Sequence, residues 1–95
     1  MIKIQSFKNE ETETIYNGFR TSKLPYSIQG TALRKLILID NASSLNDLRV
    51  PPGNHFEALT GNREGQYSIR INDKYRICFK YKDNYFCDVE IVDYH

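Results

Sequence analysis

Tryptophan is absent from this 95-residue chain, methionine occurs once, cysteine twice, proline three times and glycine five times. Two cysteines cannot build the multi-bridge framework of a small secreted scaffold. Together with the two histidines they show no paired spacing of the kind that marks a structural or catalytic zinc site. No apolar run approaches the roughly 18 residues of a membrane span, and the opening MIKIQSFKNEE has neither the apolar core nor the cleavage site of a secretory signal. The expectation is a cytoplasmic protein with no membrane partner, no metal and no cofactor. A large charge of one sign is also lacking: the formal net charge is +1, so the total gives little support to nucleic-acid binding.

What is present fits one domain spanning residues 1–95. Hydrophobic residues make up 40% and charged residues 26%, enough for a single modest core. Seven Tyr and five Phe supply large buried surfaces that help a small domain offset its conformational entropy. The basic character is local. Residues 60–82 carry Arg63, Arg70, Lys74, Arg76, Lys80 and Lys82 against Glu64 and Asp73, whereas the charged residues of 83–95 are all acidic: Asp83, Asp88, Glu90 and Asp93.

The chain divides into a helical half and a strand half. Met1–Phe7 alternates and suits a short strand, with Ile2 and Ile4 on one side. Asn9 can cap a helix whose first turn holds Glu10 and Glu11, with Ile15 and Phe19 one turn apart on one face and Gly18 and Ser22 loosening its end. Pro25 suits the first position of a second helix, in which Ile28, Ala32, Leu33, Leu36, Ile37 and Leu38 give the strongest helical periodicity, ending near Asn41. Ser44 and Asp47 resemble a capping box for one further turn through Leu48, before Pro51-Pro52-Gly53 stops it.

From Asn54 onward the period changes to 2, with segments around 55–60, 67–71, 75–81 and 85–92 forming an antiparallel meander covered by the helices. In the central hairpin, a three-residue turn at Asn72-Asp73-Lys74 aligns Tyr67, Ile69 and Ile71 with Phe79, Ile77 and Tyr75 on one face. It also sets Arg70 directly opposite Arg76 on the other; a two-residue turn would slip the register and exchange the faces. Like charges facing each other across a ladder cost on the order of 0.2 to 1 kcal/mol, a sign that an anionic ligand would reverse. In the next hairpin, Tyr81 opposite Tyr85 across Lys82-Asp83-Asn84 sets Phe79 against Cys87, Ile77 against Val89, Tyr75 against Ile91 and Arg76 against Glu90. Arg70 is then left without a partner. This register puts Cys78 and Cys87 on opposite faces, where a disulfide cannot form, so both are expected reduced. Lys80 and Lys82 read as a solvated strand face, and His55 as a surface or structural histidine.

The stretch VPPGNHFEALTGNREGQYSIRINDKYRICF together with the terminal DVEIVDYH resembles the HigB group of toxins in the RelE superfamily of bacterial toxin-antitoxin modules. The resemblance spans nearly the whole chain. It implies an α+β, RelE-like fold: an N-terminal strand and two to three helices packed on an antiparallel sheet of about four to five strands. It also implies a metal-independent endoribonuclease that cuts messenger RNA on the ribosome. A cognate HigA-type helix-turn-helix antitoxin restrains such a toxin, which meets operator DNA only through that antitoxin.

Metal-free RNA cleavage uses the neighbouring 2′-hydroxyl as nucleophile, so a protein must help deprotonate it, stabilise charge on the phosphate and protonate the leaving 5′-oxygen. Arg70 and Arg76 suit the phosphate, since guanidinium donors match its oxygens and stay charged at any working pH. His95 suits the proton donor, Asp93 its orientation or the acceptance of a proton, and Tyr94 stacking on an unpaired base or positioning the substrate. Arg63 and, more weakly, Lys74 are candidate RNA contacts. Where the family segment carries a lysine this chain has Thr60, a departure that implies reduced activity or use of Arg63 instead. The alternative to an enzyme is a toxin of the same fold that acts by contact, as in ParE-like gyrase inhibition, or one that is catalytically weak.

Overall fold

In the computed structural model, which describes residues 3–93, Asn9 caps α1 (Glu10–Tyr16) by accepting from the Thr12 amide at 3.1 Å and the Thr12 hydroxyl at 2.6 Å. The helix stops sooner than its apolar spacing predicts. Gly18 takes φ +89°, open to glycine, and turns the chain away, so Phe19 leaves the helix and stands 69% exposed while Ile15 is buried. Pro25 precedes rather than opens α2 (Tyr26–Asp40), which buries Ile28, Ala32, Leu36 and Ile39. The turn expected after Ser44 is a 3₁₀ turn, Leu45–Arg49, in which the Asp47 carboxylate accepts from the Ser43 amide at 2.8 Å and Ser44 makes no side-chain cap.

The strands are β1 (Glu57–Ala58), β2 (Gln66–Arg70), β3 (Tyr75–Lys82) and β4 (Tyr85–Asp93), an antiparallel sheet in the order β1-β2-β3-β4. The segment expected as an N-terminal strand runs parallel to β4 through two isolated bridges, Ile4 with Phe86 and Phe7 with Val89. Its anchor is Asp40, whose carboxylate accepts from the Lys3 and Ile4 amides at 2.9 and 3.0 Å and from the Tyr16 hydroxyl at 2.6 Å. One carboxylate thus ties the N-terminal segment, α1 and α2 together. Both helices pack on one face of the sheet, where Ile15, Ala32, Leu36 and Ile39 meet Ile69, Ile77, Phe79, Phe86, Val89 and Ile91 in the core.

The β2–β3 register is the expected one, with Ile69 opposite Ile77 and Arg70 opposite Arg76. Asn72 Oδ1 fixes the turn by accepting from the Lys74 and Tyr75 amides at 2.9 and 2.8 Å. The β3–β4 register is not as expected. Asp83 and Asn84 form a two-residue turn with φ +53° and +70°, the geometry of tight hairpins, so Lys82 meets Tyr85 and Tyr81 meets Phe86. One extra β4 residue between Cys87 and Glu90, with Asp88 at φ +50°, then shifts the pairing so that Ile77 meets Ile91, Arg76 meets Val92 and Cys78 meets Glu90. The bulge lets Phe86 and Val89, three residues apart, share the core. Cys87 pairs with Lys80 and therefore lies on the same face as Cys78, a correction to the predicted opposite faces; both thiols are free.

Candidate functional site

The strand periodicity that buries Ile69 and Ile77 sends Ser68, Arg70, Arg76 and Cys78 to the other face, yet that face is not uniformly open. Arg76 is 8% exposed. Its Nε donates to the Ser68 hydroxyl at 2.8 Å, its Nη2 donates to the His55 carbonyl, and it pairs with Glu57 at 3.1 Å. This guanidinium fixes the sheet to the 52–55 loop, and across the β3–β4 ladder Arg76 meets Val92 where Glu90 was expected. Arg63 is similarly engaged: its Nη1 donates to Gln66 Oε1 at 3.1 Å and to Glu90 at 3.2 Å, and Glu90 also pairs with Lys8 at 3.6 Å. Burial pushes the Cys78 thiol up from its ordinary pKa, which keeps it protonated and inert.

Arg70, directly across the ladder, is held differently. Arg70 has a side chain 33% exposed and pairs with Asp73, whose own side chain is 98% exposed. The expectation that Arg70 lacks a partner is therefore corrected, but this is a surface pair of two residues in one turn, in a class worth about 0–1 kcal/mol and readily exchanged for another anion. Lys74 pairs with Asp93 at 3.6 Å across two half-exposed side chains. Asp93 closes β4 opposite Tyr75, at the same end of the sheet as Arg70 and Lys74. Tyr94 and His95 themselves lie outside the described residues.

Two further residues belong here that sequence periodicity missed. Lys35 of α2 donates to Asn54 Oδ1, and among the described residues it has no carboxylate partner. Partial burial, then the positive charges of Arg34 and Arg70, lower its pKa from the ordinary lysine value, which places Lys35 and Arg70 within each other's field. Asn54 is fully buried, and its amide nitrogen donates to the Leu48 and Val50 carbonyls at 3.1 and 3.3 Å. The next residue, His55, has the left-handed φ of +45° that β-branched and bulky residues avoid, with its carbonyl held by Arg76 and its side chain exposed. Lys35 donates to Asn54 and Arg76 to the His55 carbonyl, so the 52–55 loop is held from two sides with the His55 side chain in solvent. The signal available in sequence was the PPGN turn, which requires a fixed loop at this point.

A protein-family model described as RelE-like toxin of type II toxin-antitoxin system HigB matches residues 5–95. The chain is 44% identical over 78 residues to Toxin HigB-1 of Vibrio cholerae, covering 81% of this chain and 82% of that one. It is 37% identical over 84 residues to an uncharacterized protein of Haemophilus influenzae, covering 87% and 83%. Among solved structures, the YoeB-YefM complex from Staphylococcus aureus contains a chain of similar fold, with a TM-score of 0.61 at 22% identity over 98% of both chains.

Proposed function

This chain belongs to the HigB-like, RelE-like toxins of type II toxin-antitoxin systems, and from that premise we propose that it is a metal-independent, ribosome-dependent endoribonuclease that cleaves messenger RNA in the decoding site. The observation that carries the reading is the contrast in how cations are held. Arg70 is balanced by one solvent-exposed turn carboxylate and Lys35 by an amide oxygen, so an incoming phosphate meets two cations that release little to receive it.

In this reading Arg70 and Lys35 stabilise charge on the phosphate as the 2′-hydroxyl attacks phosphorus and the 5′-oxygen leaves. His55 accepts the hydroxyl proton and His95, oriented by Asp93, donates one to the leaving oxygen, since imidazole exchanges protons near neutral pH. Tyr94 stacks on a base. Lys74 and Arg63 touch RNA at the margin, each exchanging a carboxylate for a phosphate, and Arg76 positions the loop that carries His55. Thr60, exposed in the loop before β2, supplies no cation; Lys35 supplies one from α2. The 95 residues act as one toxin domain in the cytoplasm, restrained by a HigA-type helix-turn-helix antitoxin through which operator DNA is met. No helix among the described residues is long and apolar enough to cross a membrane.

Purified ribosomes programmed with a reporter messenger test the proposal. Cuts that disappear in Arg70→Ala and His95→Ala, with folding intact, support it. Growth arrest without messenger cleavage, relieved by changes in gyrase, overturns it in favour of a toxin that acts by contact.

A further inference from the structure

Planar side chains form a continuous series at the β1 edge of the sheet, on the face opposite Arg70 and Arg76. Phe79, 0% exposed, stacks with Tyr67 at 6.3 Å between ring centroids and 29° between planes. Tyr67 stacks in turn with Phe56 at 5.7 Å and 13°. The Arg49 guanidinium then lies over the Phe56 ring at 4.9 Å. The series thus runs from the core to an exposed cation. Beside it lies an open groove of about 340 Å³, lined by Leu45, Asn46, Arg49, Phe56, Ala58 and Tyr67.

Arg49 is held in place without being neutralised. Its Nε donates to Asn46 Oδ1 at 3.0 Å, one turn earlier in the 3₁₀ segment, and it has no carboxylate partner among the described residues. The nearest carboxylates in sequence are engaged elsewhere. Asp47 accepts from the Ser43 amide at 2.8 Å, and Glu57 pairs with Arg76 on the opposite face of the sheet. A side chain fixed in this way has less rotamer freedom to lose on binding. The edge strand adds polar groups: the Leu59 amide donates to the Gln66 carbonyl at 2.9 Å, so by the alternation of an antiparallel ladder the amide and carbonyl of Ala58 point away from β2, toward the free edge.

We infer that this groove is a nucleotide subsite, in which an unpaired messenger base beside the cleaved phosphodiester extends the stack of Tyr67, Phe56 and Arg49. Unpaired bases stack on guanidinium planes as well as on aromatic rings, and the charge of Arg49 suits the phosphate that follows the base. The Ala58 amide and carbonyl offer one donor and one acceptor to the edge of that base. Phe56 directly follows His55, so the subsite starts one residue from the imidazole to which the proposed reaction gives the 2′-hydroxyl proton. A peptide ligand would call for aliphatic wells, whereas Leu45 and Ala58 are the only aliphatic residues lining the groove. The inference rests on the messenger-binding part of the proposed function and not on the cleavage step.

Ribosomes programmed with a messenger that carries 2′-deoxyribose at the cut position hold the substrate uncleaved, and fluorescence anisotropy reads the binding of the labelled full chain to them. Arg49 is exposed, so Arg49→Ala and Arg49→Lys should fold. Both are expected to bind about tenfold more weakly, because lysine keeps the charge and loses the plane. An abasic nucleotide placed in turn on either side of the cut should weaken wild-type binding by a similar factor at one position, and should weaken Arg49→Ala no further there. Affinity within about twofold of wild type in both variants overturns the inference, and so does full rescue by lysine, which would leave a simple charge contact. Losses that multiply at every abasic position overturn it in favour of a contact with ribosomal RNA. Unchanged ribosome binding with weaker capture of the antitoxin overturns it in favour of a protein contact. A wild type that binds yet leaves an all-ribose messenger uncut, with the Arg49 and abasic losses still coupled, would sink the nuclease reading and leave this subsite standing.

Discussion

Arg70 and Arg76 face each other across one ladder, yet one stands at an exposed turn beside a carboxylate in water and the other is 8% exposed among Ser68, Glu57 and the His55 carbonyl. Identical side chains at paired positions are therefore held in different surroundings. Arg76 ties the sheet to the 52–55 loop, whereas Arg70, at the same level of the ladder, is one third exposed with a solvent-exposed partner. What separates them is the set of partners: the His55 carbonyl, Ser68 and Glu57 hold Arg76, and Asp73 alone is paired with Arg70 among the described carboxylates.

The comparison breaks most visibly when each arginine is removed. Arg70→Ala is expected to lower ribosomal cleavage by about 10²–10³-fold, the range for loss of one charge-stabilising donor, while changing stability by no more than about 1 kcal/mol. Arg76→Ala should do the reverse at the level of folding, losing about 2–4 kcal/mol in a urea titration because Ser68 and the His55 carbonyl lose a charged partner inside the fold. Cleavage would fall as well, through displacement of His55, and Arg76→Lys would recover part of the stability. Equal stability losses in the two alanine variants would erase the distinction.

Asp40 extends the contrast to the far edge of the molecule. Burial acts to raise its pKa, but the Tyr16 hydroxyl and the Ile4 and Lys3 amides outweigh that and hold it below its ordinary value of 3.8. A carboxylate with a depressed folded pKa stabilises the fold above its unfolded pKa, and that stabilisation is lost as pH falls through the folded value. Asp40→Asn should therefore destabilise by about 1–3 kcal/mol at pH 7, and the difference from wild type should shrink below pH 4. Thermal melts from pH 7 to pH 3 measure it.

The fold was legible where periodicity and turn chemistry agreed. Asn9, the α2 stripe and the Asn72-Asp73-Lys74 turn each carry a local signal, and the Arg70–Arg76 opposition followed from matching two apolar faces. The β3–β4 register was not legible from strict alternation, because Phe86 and Val89 are three apart and only a bulge reconciles them; that break in parity was the missed signal. At the site, Arg70 was readable because its neighbours in sequence set its face. The contacts of Arg76 and Lys35 were not, because they are made to a loop 21 and 19 residues away in sequence, which no local pattern encodes.

Lys35 tests whether the basic end extends from the hairpin onto α2. Lys35→Met keeps the aliphatic stem and removes the charge, and the expected loss of cleavage is about tenfold, with stability changed by less than about 1 kcal/mol. Loss of cleavage equal to that of Arg70→Ala would make Lys35 a principal group rather than a supporting one; no loss would confine the site to the sheet.

The smallest effect comes from Asp73, and it bears most directly on why Arg70 is available. If the Asp73 carboxylate serves mainly to shield Arg70 from its partner across the ladder, Asp73→Ala should alter stability by less than about 0.5 kcal/mol, since an exposed pair contributes little. It should also strengthen messenger binding about two- to threefold at low salt, because the phosphate no longer displaces a competing anion. Raising the ionic strength should abolish that gain. Binding that instead weakens in Asp73→Ala would mean that the carboxylate orients Arg70 toward the RNA, making the pair part of the site's geometry and not merely a counter-ion waiting to be exchanged.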